Sequence, residues 1–211
     1  VYVGSASDYS DLGLTGYTTY YYKIWSYEPA NNNIYSPTGI TASTQTFCSP
    51  SSLPFAEGFE WGGTIGCGSI IDVGTLAPNW AAYYGISQAH SGSYSIRIGV
   101  STSVAANDDW YFTNGLNLTA GVTYEVKFWN RHATGSVPAH ALEVKWGPVA
   151  TVAGMTSSPI YYNTNIISNV YNQPTSSSFT PATSGIYYIG FHDFSPLSAA
   201  SSPYLYLDDI T

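Results

Sequence analysis

A chain of 211 residues can bury a sizeable core, in one large domain or two modest ones. Thirteen acids stand against five scattered bases (Lys23, Arg97, Lys127, Arg131 and Lys145), and the formal charge of −8 argues against nucleic acid and anionic lipid as partners. No apolar run approaches the roughly 18 residues of a membrane span, and the opening "VYVGSASDYSD" lacks the basic and apolar regions of a signal peptide, so any export signal is expected outside these residues.

Only 9% of the residues are charged, against roughly 25% in an average soluble protein. Twenty Tyr and six Trp with a single Met point to β structure, because aromatic and β-branched side chains suit a pleated, half-buried surface. In chain order, strands are expected at 19–27, 34–44, 53–61, 79–84, 93–100, 109–112, 122–131, 141–147, 166–171, 176–181, 185–193 and 203–210, with no sustained helical period between them. Short strands separated by Gly, Pro, Ser and Asn predict an all-β sandwich or jelly roll.

The stretch "TFCSPSSLPF" reads as a boundary, dividing the chain into residues 1–46 and 47–211. Before it, Leu14, Thr18 and Tyr20 are spaced as in the "L-x-P-x-T-x-Y" of fibronectin type III domains, with Gly16 where Pro is usual. The strand "YYYKIWSY" and the return strand ending "TASTQT" follow, so the segment resembles the last strands of that module. The resemblance implies a structural role for Tyr20 as a corner tyrosine. It also implies an open edge, covered by the following domain or a neighbouring chain.

Cys48 and Cys67 flank the first expected strand of the second region, at a spacing that matches no metal motif. A disulfide would close a loop of about 20 residues, contribute about 3 kcal/mol and imply an oxidising compartment; the alternative is two buried thiols.

In "TYEVKFWNRHATGSVPAHALEVKWG", alternation puts Tyr124, Val126 and Phe128 on one face, and Leu142, Val144 and Trp146 on one face of the next strand. A hairpin turning near Gly135 would set Glu125 opposite Lys145 and Lys127 opposite Glu143. Carboxylates paired in this way are structural, which argues against a glycosidase acid and base. His132 and His140 are expected in an exposed loop, and His192 in a hydrogen-bonded pair with Asp193; neither His90 nor Ser91 has a nucleophile context. No phosphate loop or dinucleotide fingerprint occurs, so the chain reads as non-catalytic.

Seven segments then occur in a telling order: "LPFAEGFE", "PNWAAY", "AHSGSYSIRI", "NDDWYFTNGLNLTAGVTYEVKFWNR", "ALEVKWG", "SGIYYIGFHDFS" and "YLYLDDI". Together they resemble the jelly roll of cleaved-adhesin domains of the gingipain type, itself similar to MAM domains and some carbohydrate-binding modules. The match departs at "GTIGCGSIIDVG", where the acidic calcium loops of some relatives are not evident.

The resemblance implies a structural calcium ion between the first and last strands, with Glu60 and Asp208 as first choices and main-chain carbonyls completing the shell. Calcium takes six to eight oxygen ligands, which suits acids at two chain ends that a jelly roll brings together. Asp209 and Glu57 are further metal candidates, and Asp108 and Asp109 could order a loop or take a second cation. Alternation sends Asp208 and Asp209 to opposite faces unless the strand end bends.

Trp129, on the charged face of its strand, and Tyr161 and Tyr162, in loop-like "SSPIYYNTN", are the ligand-contact candidates; Tyr83, Tyr84, Trp146 and Tyr171 could add to such a platform. The expected function is non-catalytic adhesion at a bacterial cell surface, with an extracellular protein or glycan as partner and neighbouring domains in a longer protein. A carbohydrate-binding module, or an ancillary region of an exported protease or glycosidase, is the alternative.

Overall fold

The computed structural model describes residues 10–28, 34–46, 48–73, 79–102, 105–133, 138–198 and 203–211. The chain separates into two compact units, Val1–Ser49 and Pro50–Thr211. In the first, β1 (Thr19–Ile24) pairs antiparallel with β4 (Ile40–Gln45), Thr19 lying opposite Gln45. Between them β2 (Tyr27–Glu28) pairs with β3 (Ile34–Tyr35). The Tyr20 hydroxyl accepts a hydrogen bond from Thr15 N at 2.8 Å, tying the ring to the chain just upstream.

The second unit is a two-layer β-sandwich. One sheet holds β6 (Ala81–Tyr84), β7 (Tyr94–Gly99), β14 (Tyr204–Asp208) and β10 (Trp129–His132) in the order β10-β14-β7-β6. The other holds β5 (Ser69–Asp72), β8 (Asp109–Phe112), β11 (His140–Gly147), β12 (Tyr161–Ile166) and β13 (Gly185–Asp193), ordered β12-β11-β13-β8-β5, with β9 (Leu116–Leu118) also on β13. Every pairing between these strands is antiparallel.

The core lies between the sheets. Ile96, Ile98, Leu205 and Leu207 come from one, and Leu142, Val144, Ile189 and Phe191 from the other, all at most 2% exposed. Each of these alternates along its strand with an outward residue, which is how a period-two pattern builds an inner face. Phe128 closes the layer with edge-on contacts to Tyr161 and Phe191.

Several expected elements differ. The strand expected at 53–61 is not formed: Glu57 makes a single bridge to Ile210, and Phe59 takes a φ of 58°, outside the β region. The expected strand 122–131 is regular only from Trp129, with Tyr124 bridging Phe179. Strands at 166–171 and 176–181 give way to β12, so Tyr161 and Tyr162 lie on a strand rather than in a loop.

The 124–147 hairpin is also corrected. β10 and β11 belong to different sheets, so Val126, Phe128, Leu142 and Val144 meet in the core across the sandwich instead of pairing side by side. The inward faces were legible in the alternation; the neighbour was not, because any extended strand offers the same backbone donors and acceptors.

Candidate functional site

Two distant stretches of the second unit converge on one loop. The Glu57 and Ile210 main chains exchange hydrogen bonds of 2.8 and 2.9 Å, which sets residues 57–60 beside the end of β14. The loop between β6 and β7 then presents its N–H groups to their carboxylates. Glu60 Oε1 accepts from Ser93 N and Tyr94 N, both at 2.8 Å. Gly92, at φ +62°, leaves the space this needs, since a Cβ there would run into the Glu60 carboxylate.

Asp208, with no exposed surface, accepts from His90 N at 2.7 Å, Ser91 N at 3.3 Å and Asp209 N at 2.8 Å. Asp209 turns back toward the same loop because its φ is 44°, and it meets His90 Nδ1 at 2.6 Å and Ser91 Oγ at 2.8 Å. The bend overrides the alternation that would send the two carboxylates to opposite faces. Glu57 is nearly buried and accepts from Phe59 N at 2.7 Å and Trp61 Nε1 at 2.9 Å.

Burial dominates the electrostatics. It pushes the Asp208 carboxyl up to about 6, against the three N–H groups that pull it down and with the Asp209 charge adding to the rise. Burial raises Glu57 likewise, opposed by the Phe59 and Trp61 hydrogen bonds.

Carboxylate oxygens are the right donors for calcium, and among the described residues His90 is the only basic side chain ion-paired with these acids. Glu60 Oε2 takes no hydrogen bond among the described residues, so it is free to ligate. No group of three or more His, Cys, Asp or Glu side chains among the described residues converges in a metal-holding arrangement. A calcium shell here would therefore rest on two carboxylates with main-chain carbonyls and water.

The other candidates are placed as follows. Asp108 does not accompany Asp109: its carboxylate lies 2.9 Å from His192 Nε2, while His192 Nδ1 meets Glu143 at 2.9 Å. Asp109 instead faces inward in a row with Asp72 and Asp193, its register partners on β5 and β13. Both Asp109 oxygens are buried without a hydrogen-bond partner among the described residues. Burial, then the charges of Asp72 and Asp193, push its carboxyl up to about 7.

The expected His192–Asp193 pair is not formed. Asp193 bonds His140 Nδ1 at 2.8 Å, and His132 and His140 are both fully buried rather than exposed in a loop. Ser195 Oγ lies 3.2 Å from that same Nδ1, and His140 Nε2 is taken by Pro203 O at 3.1 Å. Serine and aspartate share one nitrogen, so no relay of the serine-hydrolase kind can run. Glu143 is held by Lys145 at 2.9 Å as well as by His192. Burial acts to raise the Glu143 carboxyl, but these two partners outweigh it and hold the group low, the reverse of a general acid.

Cys48 and Cys67 form a disulfide. Trp129 stacks on the His90 ring, centroids 4.0 Å apart, so one of its faces is covered. Tyr161 packs edge-on against Phe128 at 5.3 Å. Tyr162 is 61% exposed on the edge strand β12 and stacks on Phe194 at 5.3 Å. Tyr84 is equally exposed.

An apolar cleft of about 280 Å³ opens beside Phe55, Leu116, Tyr124, Val126 and Phe179, with Glu125 and Lys127 among its lining residues. Sequence reasoning missed the arginines of the β10-β14-β7-β6 sheet, Arg97 and Arg131, which share a face with Tyr83, Tyr204 and Tyr206. Their alternation along each strand was visible; that four strands bring them together was not.

No family model matches the chain, and no curated protein sequence matches it. Solved structures do. The K1 cleaved adhesin domain of Lys-gingipain from Porphyromonas gingivalis W83 is 15% identical with a TM-score of 0.57, over 74% of this chain and 95% of that one. The K3 domain of the same protein is 15% identical with a TM-score of 0.56, over 74% and 96%. The K2 domain is 20% identical with a TM-score of 0.55, again over 74% and 96%. The fold of this chain is that of the cleaved-adhesin β-sandwich.

Proposed function

We propose that the chain is a non-catalytic adhesion or binding module of a secreted or cell-surface protein, clamped between residues 57–60 and the end of β14 by structural calcium. The observation that carries this reading is that acid–base groups able to do chemistry are tied into structure: His140 with Asp193, His192 with Glu143 and Asp108, His90 with Asp209. The disulfide supports an oxidising, extracellular setting, and no helix among the described residues is long and apolar enough to cross a membrane. Glu60 and Asp208 are the proposed calcium ligands, with Asp209 and Glu57 behind them.

Binding of the full chain to immobilised matrix proteins and to a glycan array, with calcium and with chelator, tests the function. A thermal midpoint that rises in calcium tests the clamp, and an unchanged midpoint argues against it. Carbohydrate binding is the second reading, favoured by the exposed Tyr162 and Tyr84 and by the tyrosines around Arg97.

A further inference from the structure

Arg97 lies on β7, between β14 and β6, opposite Tyr206 on one side and Ala81 on the other. Its guanidinium carbon sits 3.8 Å from the Tyr83 ring centroid and 4.0 Å from that of Tyr204, so a tyrosine from each neighbouring strand flanks it. Among the described residues no carboxylate pairs with it. Two strands away, Arg131 lies 5.2 Å from the Tyr206 ring and 5.5 Å from that of Tyr171, and its buried Nε has no hydrogen-bond partner among the described residues. Two of five bases in a chain of charge −8 thus share one sheet face, and the carboxylate on that face, Asp208, is taken up by the His90 and Ser91 N–H groups.

This arrangement has a chemical meaning. Rings that cover a guanidinium's flat faces leave its N–H edge as the open approach, and that edge matches a carboxylate in a two-bond fork. The surrounding tyrosines offer ring surface and phenol hydroxyls, the groups on which a sugar ring rests. We infer that the outer face of this sheet binds an acidic oligosaccharide, with the uronate or sialate carboxylate on Arg97 and an adjoining sugar ring on Tyr83 or Tyr204. The inference rests on the carbohydrate-binding reading above.

Calorimetric titration of the full chain with tetragalacturonate, its methyl ester, 3′-sialyllactose, lactose, neutral xylotetraose and an acidic tetrapeptide tests it. Tetragalacturonate or sialyllactose should bind in preference to its uncharged counterpart. Arg97→Lys, which keeps the charge but loses the fork, should weaken that binding about tenfold or more, and Arg97→Ala at least as much, the range expected for charge-assisted hydrogen bonds. An unchanged thermal midpoint for Arg97→Lys shows that the fold is intact. Equal binding of charged and uncharged sugars, indifference to Arg97, or an acidic tetrapeptide bound as tightly each overturns the inference. Xylotetraose bound without either acidic sugar overturns this inference alone; no binding to any glycan overturns the carbohydrate reading beneath it.

Discussion

Replacing Asp208 by Asn should flatten the fall of stability with pH when calcium is withheld. The Asp208 carboxyl is raised to about 6 in the fold, from an ordinary 3.8. Below about pH 3 both states are mostly protonated and the group adds little. As pH rises from about 3 to 6 the unfolded chain ionises there while the native state keeps its proton, so stability falls and then levels off. A shift of about two units at 1.36 kcal/mol each is a loss of about 3 kcal/mol. The amide in the variant cannot titrate, and Glu57 and Asp109 contribute equally to both proteins. Urea unfolding followed by Trp fluorescence, at five pH values from 4 to 8 in chelator, reads the difference between wild type and variant. That difference should change by about 2 kcal/mol between pH 4 and pH 7, the rest of the loss falling below pH 4. Excess calcium at pH 7 should restore wild type by about 2.7 kcal/mol at a hundredfold excess over Kd, and the variant by much less. Parallel pH curves in chelator would refute the burial argument, and a wild type indifferent to calcium would refute the proposed ion.

Three further outcomes are expected. Asp109→Asn removes a buried carboxylate beside Asp72 and Asp193; since the native carboxyl is raised to about 7, wild type loses stability from pH 4 to 7 and the variant should be more stable by about 1–3 kcal/mol at pH 8, read by the same urea curves. Gly92→Ala, at φ +62° and against the Glu60 carboxylate, should cost about 1–2 kcal/mol and lower the thermal midpoint, whereas Gly121→Ala, equally left-handed but with open space, should cost less. Reduction of the Cys48–Cys67 bridge should cost about 3 kcal/mol in chemical unfolding, for a closed loop of about 20 residues.

Much of the second unit was legible along the chain. Strands 109–112 and 185–193 emerge with the ends the pattern predicts. The inward residues Val126, Phe128, Leu142 and Val144 also match the alternation. Side-chain period is a local property: a pleated backbone sends neighbours to opposite faces whatever lies beside it.

Tertiary structure alone decided the rest. It separated β10 from β11 into two sheets, buried His132 and His140, gave Asp193 to His140 rather than His192, and lined up Asp72, Asp109 and Asp193. It also turned Asp209 back through a positive φ onto the loop held by Asp208, and set Arg97 between tyrosines from two other strands. These outcomes depend on which strand lies beside which. Backbone hydrogen bonds between strands are the same for every sequence, so the choice of neighbour is made by the packing of the whole sandwich.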